Sequence, residues 1–274
     1  MQNRLTLSLL VGAIAILIAA LWLGAAPTSA PAQAYQPPRT ADGKPDLNGI
    51  WQAFNTANWD IQDHAARQGP IAALGAAFSV SAGKGVVVGN EIPYLPEAAA
   101  KKRENAESWL ASDPEIKCYL PGVPRATYMP YPFQIFQTPQ QVLIVYEFAN
   151  ATRTIPIDSN EESPSDTWMG WSVGRWEGDT LVVDVTSFND QTWFDRAGNF
   201  HSDALHVVER YTPIGPNVLD YEVTIEDAKV FSRPWKMRMP LYRRLEQNAQ
   251  LLEYNCVEFT EELLYGHLRK QPSQ

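Results

Sequence analysis

Cysteine is scarce, with two in 274 residues, too few for a disulfide-dense scaffold or a four-thiolate zinc site. Cationic side chains are outnumbered 22 to 31 by acidic ones, which leaves a net charge of −9 and a pI near 5.0. That balance argues against nucleic acid as a partner, because phosphate neutralisation needs clustered Lys and Arg. A phosphate loop is also lacking. Ser81-Ala82-Gly83-Lys84-Gly85 has the lysine, but Phe78 stands where the first glycine belongs and Gly85 replaces the hydroxyl that would hold magnesium. No internal repeat of fixed period is found. What the chain has is an ordinary globular composition, 45% hydrophobic and 19% charged, too apolar for disorder.

The N-terminus carries an export-like pattern. Met1 to Arg4 holds one basic side chain, and the following stretch from Leu5 to Ala26 has no charge at all. Ala32-Gln33-Ala34 then offers an A-x-A cleavage site before Tyr35. Residues 1–34 are thus a signal peptide or an N-terminal membrane anchor. The uncharged run is longer than the usual signal core of about 7–15 residues, and residues 5–26 would serve as a tether if retained. Either way the remainder is expected outside the cytoplasm, periplasmic or secreted. In such a compartment Cys118 and Cys256 are expected to form one disulfide. It would close a loop of roughly 140 residues, with an upper stabilisation of about 4–5 kcal/mol from chain entropy. A catalytic or metal-binding thiol is the competing reading, and Lys117-Cys118-Tyr119 offers it no neighbouring His.

Residues 35–112 begin with a Pro/Gly-rich lead-in. Ile50 to Phe54 suits a short strand or a core plug. A helix is expected from Pro96 to Ser112, opened by Pro96 and stopped at Asp113-Pro114. Beyond residue 113 the period changes to two. Strands are expected over 133–137, 141–148, 151–157, 171–176, 180–185, 205–211, 218–226, 235–239 and 251–258, with Thr138-Pro139-Gln140 and Glu177-Gly178-Asp179 as hairpin turns. A short helix is expected near 261–269. Closely spaced strands without helical patterns between them argue for a mainly β fold, an antiparallel barrel or sandwich of lipocalin-like size over 113–274, flanked by the two helices.

Several strings resemble those of a family of exported bacterial β-rich proteins with no established activity. They are Pro45-Asp46-Leu47-Asn48-Gly49-Ile50-Trp51, Cys118-Tyr119-Leu120-Pro121-Gly122-Val123-Pro124-Arg125, Gly174-Arg175-Trp176-Glu177-Gly178-Asp179-Thr180-Leu181-Val182-Val183-Asp184 and His201-Ser202-Asp203-Ala204-Leu205-His206-Val207-Val208-Glu209-Arg210. The resemblance covers most of the chain after residue 44. It implies export and a β-rich domain and brings no site residue with it.

Candidate chemistry gathers near residue 200. His201 and His206 lie among Asp195, Arg196, Asp203 and Glu209. Imidazole titrates near neutral pH, and an adjacent carboxylate fixes its tautomer. On a strand, His206, Val208 and Arg210 share one face, and Leu205, Val207 and Glu209 share the other. If the first face points inward, His206 and Arg210 become an acid/base and an anion-stabilising group. An outward face of ordinary polar residues is the alternative. Metal is not expected, because the two-histidine spacing has neither the helical HExxH context nor a cysteine pair. Gly170-Trp171-Ser172-Val173-Gly174 spells a nucleophile elbow without the strand-turn-helix setting it needs.

Trp168, Trp171, Trp176 and Trp193 fall within 26 positions, and such rings fill cores or line pockets. Trp168, Trp171 and Trp193, with Arg153, are the ligand-binding candidates. The leading expectation is cofactor-independent proton transfer on a small, partly apolar organic molecule, of the isomerase, lyase or cyclase kind. His201 and His206 would act as acid and base, Asp195 as orienter, and Arg153 and Arg210 would stabilise negative charge. A non-catalytic carrier for a hydrophobic ligand is the alternative, and a carbohydrate-binding module the third.

Overall fold

A computed structural model describes residues 35–69 and 71–268; the leader and its cleavage site lie outside the described residues. Nine antiparallel strands are present: β1 Gly49–Ala53, β2 Phe133–Gln137, β3 Gln141–Tyr146, β4 Thr152–Pro156, β5 Trp171–Glu177, β6 Thr180–Thr186, β7 His206–Gly215, β8 Val218–Glu226 and β9 Trp235–Arg243. They form one sheet in the order β4-β3-β2-β1-β9-β8-β7-β6-β5. The end strands curl together into a nearly closed barrel. A parallel bridge joins Ile157 to Gly174, and the Asp158 N–H donates to the Gly174 carbonyl at 2.8 Å. Among the described residues the α-helices are α1 Pro96–Ser112, the single turn α2 Arg125–Tyr128 and α3 Thr260–Tyr265.

The mainly β, antiparallel expectation holds. Of the two expectations for Ile50 to Phe54 the strand holds: β1 pairs with β2 on one side and with β9 on the other. Helix α1 has the expected bounds, its first turn opened by Pro96 and its end set at Asp113. The turn before β6 is shorter than expected. Glu177 still pairs with Thr180, so the loop is Gly178-Asp179, with Gly178 at φ 59°. The strand expected over 251–258 is absent. Both edges of β9 are occupied by β1 and β8, so this segment has no free ladder to join. It is held instead by side chains: Asn150 Nδ2 donates to the Tyr254 carbonyl at 3.0 Å and the Leu252 N–H to Glu147 Oε2 at 2.8 Å. Cys118 and Cys256 form the expected disulfide, with Cα atoms 5.7 Å apart.

Alternation along the strands fixes which side chains fill the barrel. Leu219, Tyr221, Val223 and Ile225 of β8 point inward with Trp235, Met237, Met239 and Leu241 of β9. On β7 the inward set is Val207, Glu209 and Tyr211. At the seam a Cβ on Gly174 would stand 2.8 Å from Ile157 and 2.9 Å from Ile155. Small size at that position lets β4 and β5 meet. Gly174→Val is expected to cost about 1–3 kcal/mol through overpacking, read as a lower urea midpoint with unchanged slope. An unshifted midpoint would mean that the seam is not packed.

Candidate functional site

The residues singled out near position 200 do not converge. His206 and Arg210 lie on the outer face of β7, which corrects the inward alternative. His206 Nε2 is 3.1 Å from Asp184 Oδ2, and Nδ1 is 3.5 Å from Glu226 Oε2. Arg210 Nη1 donates to Glu177 Oε2 at 2.9 Å, both groups being exposed. His201 is sealed inside a loop, 3% exposed, with its ring against Phe188 and Phe194. Its Nδ1 donates to the Ser202 carbonyl at 2.8 Å, so Nε2 accepts from the Thr192 hydroxyl at 2.6 Å. Burial lowers its proton affinity below the ordinary 6.5, against the Ser202 hydrogen bond and the Asp227 charge.

Asp195 does not orient a histidine. It is fully buried and accepts from the N–H groups of Ile61, Ala197 and Asn199 at 2.9, 2.9 and 3.1 Å, and from Asn199 Nδ2 at 2.6 Å. Burial, then the charge of Asp60, push its carboxyl up to about 7 against those bonds. Of the ligand-binding candidates, Trp168 stacks on Tyr119 at 4.8 Å. Trp171 Nε1 donates to the Glu161 carbonyl at 3.0 Å on the exterior, and Trp193 bridges to Phe200. Among the described residues, no cluster of three His, Cys, Asp or Glu is arranged to hold a metal ion.

Arg153 does enter the barrel. Its Nη2 bonds to Glu209 Oε2, and its Nε donates to Ser172 Oγ at 2.7 Å. The other Glu209 oxygen accepts from the Tyr211 and Tyr221 hydroxyls at 2.9 and 2.6 Å. Burial opposes the charge on Arg153, but Glu209 outweighs it and raises the arginine's proton affinity. The cluster is an internal ion pair wrapped in phenols, with both charged groups buried. None of the described hollows is lined by it.

A second polar system leads to the surface. Asp113, the residue that stops α1, grips the buried Arg125 through two 2.8 Å bonds, and Arg125 Nε donates to Asn58 Oδ1 at 2.9 Å. Arg125 also reaches Glu115 Oε2 at 3.4 Å. Glu115 is held bidentately by Arg196, at 2.8 Å to Nε and 3.1 Å to Nη2. Burial pushes the Glu115 carboxyl up, but Arg196 and Arg125 outweigh it and hold the group below the usual range. The outermost guanidinium, Arg196, lies 4.5 Å from the Trp59 ring centre and 5.0 Å from that of Trp109. Those two indoles meet edge to face at 5.7 Å.

This indole–guanidinium platform forms part of the wall of a cleft of about 270 Å³. Each wall has a local cause. The turn at Thr56, whose carbonyl accepts from the N–H groups of Trp59 and Asp60, presents that pair. The strap after it supplies Arg67, and α1 supplies Lys102 and Trp109. Loop 195–199 docks on α1 at Gly198, where a Cβ would stand 2.5 Å from the Ala106 nitrogen and the Lys102 carbonyl oxygen. Arg196 also lines a second hollow of about 310 Å³, with Glu115, Tyr131 and Tyr254. Sequence reasoning passed over Trp59, Asp60, Arg67 and Lys102. The available signal was Trp109, a large ring near the end of an otherwise charged helix.

The chain matches no protein-family model, no curated protein and no solved structure.

The buried, neutral His201 has a pH signature. Its folded-state pKa lies below the unfolded value, so its contribution is fully present above pH 6.5 and is lost as pH falls toward the depressed folded value. In urea unfolding, wild-type stability should therefore fall relative to His201→Gln between pH 7.5 and 5. A difference that stays flat or moves the other way would show that the ring is not held neutral.

Proposed function

We propose that this is an exported binding protein whose cleft takes a small, ring-bearing organic anion. The observation that carries this reading is local charge. Among the described residues, Lys102 and Arg67 make no ion pair, yet both line one cleft beside the Arg196 guanidinium, in a chain of net charge −9. Cations left unpaired around a concave wall attract an anion, and desolvation inside the cleft strengthens that attraction. The exposed parts of Trp59 and Trp109 add area for a ring. A volume near 270 Å³ lies just below the usual range of organic-ligand pockets, about 300–1,000 Å³, so the occupant is a small molecule with one ring system. Location outside the cytoplasm is supported by the leader pattern of residues 1–34 and by the Cys118–Cys256 disulfide.

Proton transfer on the same ligand is the second reading. Asp60 favours it, being a carboxylate on the cleft wall with the raised carboxyl of Asp195 nearby. It replaces the histidines as the group through which such chemistry would run.

Titration calorimetry with 3-phenylpropanoate and with D-glucuronate covers an aromatic and a sugar ring. At least one is expected to bind. The double variant Arg67→Gln/Lys102→Gln should weaken it at least tenfold, each lost charge-assisted contact being worth about 1.5–3 kcal/mol. Absence of binding by both acids, or an unaffected double variant, would overturn the reading. Mass spectrometry of the recovered ligand separates the two readings, since a carrier returns it unchanged.

A further inference from the structure

Opposite charges share this cleft without neutralising one another. Asp60 lines it together with Arg67 and Lys102, and among the described residues none of the three takes part in an ion pair. Asp60 Oδ1 accepts the Gln62 N–H at 3.0 Å, which leaves Oδ2 without a hydrogen bond among the described residues. Charges that share a cleft without pairing leave their attraction for an occupant. The complement of one carboxylate and two cations is a molecule carrying both an ammonium and a carboxylate group.

We infer that the ligand is a zwitterion, an α-amino acid with a ring in its side chain. Its carboxylate meets Lys102 and Arg67, its ammonium meets Asp60, and its ring lies against the Trp59 and Trp109 edges beside Arg196. The framework supports this division. Asp60 is fixed by the Thr56 turn, and the next residue, Ile61, donates its N–H to the buried Asp195. Lys102 projects from a separate element, α1. Asp60 and Lys102 thus belong to different segments, with Arg67 on the strap beyond Asp60, and a ligand that bridges the carboxylate and the lysine ties the strap to the helix. An acid without the ammonium group would satisfy only one half and would leave Asp60 facing the ligand unpaired.

This inference rests on the ligand-binding reading of the cleft, and the experiment separates the two. Calorimetry compares L-phenylalanine, L-tyrosine and L-tryptophan with 3-phenylpropanoate, which lacks the ammonium group, on the wild-type protein and on Asp60→Asn. The asparagine keeps an acceptor for the Gln62 N–H, and circular dichroism confirms the fold. At least one amino acid is expected to bind wild type tenfold or more tightly than 3-phenylpropanoate, and Asp60→Asn should erase that preference without weakening 3-phenylpropanoate. Equal binding of acid and amino acid by wild type would end the zwitterion assignment and leave the anion reading standing. A preference that survives in Asp60→Asn would likewise end the role of Asp60. Failure of every one of these probes, with D-glucuronate also unbound, would end both.

Discussion

One buried cation organises the end of the molecule where the cleft lies. Arg125 is 1% exposed, so its charge persists only because Asp113, Glu115 and Asn58 surround it. Removing one partner of such a pair typically costs about 3–5 kcal/mol, although a well-packed apolar substitute would do as well. The network therefore contributes placement more than net stability. Through Asp113 it fixes where α1 stops, through Asn58 it fixes the turn that carries Trp59, and through Glu115 it fixes Arg196. The cleft is the outer end of a charge arrangement that begins in the interior.

The barrel holds a second buried pair, Arg153 with Glu209, and the comparison is instructive. There the carboxylate is saturated by one guanidinium and two tyrosine hydroxyls, as a charge in a low-dielectric interior demands. At the cleft, charge is left over. Carboxylates thus differ between the two places: both Glu209 oxygens are engaged, although Arg153 Nη1 beside them has no partner, whereas Asp60 Oδ2 at the cleft has no hydrogen bond among the described residues. That leftover capacity, more than the presence of histidine, is what the proposed ligand site rests on.

The barrel was legible in the sequence because alternation and turn chemistry are local. The helix at 96–112 was equally so, its limits set by Pro96 and by Asp113-Pro114. The parity of β7 was not legible. Both faces carry polar and apolar residues, and a one-residue slip reverses every side chain. Glu209, an internal carboxylate, was as plausible outside as His206 was inside. The cleft was hidden for another reason. Its walls come from residues near 60, near 105 and at 196, and no local pattern announces that such distant segments meet. The 251–258 segment has a strand's composition, but no vacant edge awaits it.

The position of β1 bears on how the sheet is assembled. Strands β2–β4 and β5–β9 are each meanders that form from neighbouring sequence, whereas β1 joins them by pairing with β2 and with β9. Contacts such as Gln52 with Tyr242 bridge most of the chain, and closing so long a loop slows folding. A five-residue clasp must then wait, solvated, until the final strand exists. Meanwhile the edge of β1 that β9 will cover stands open to other chains, an interval of vulnerability to aggregation. Holding the nascent polypeptide unfolded until residue 243 is available would shorten that interval.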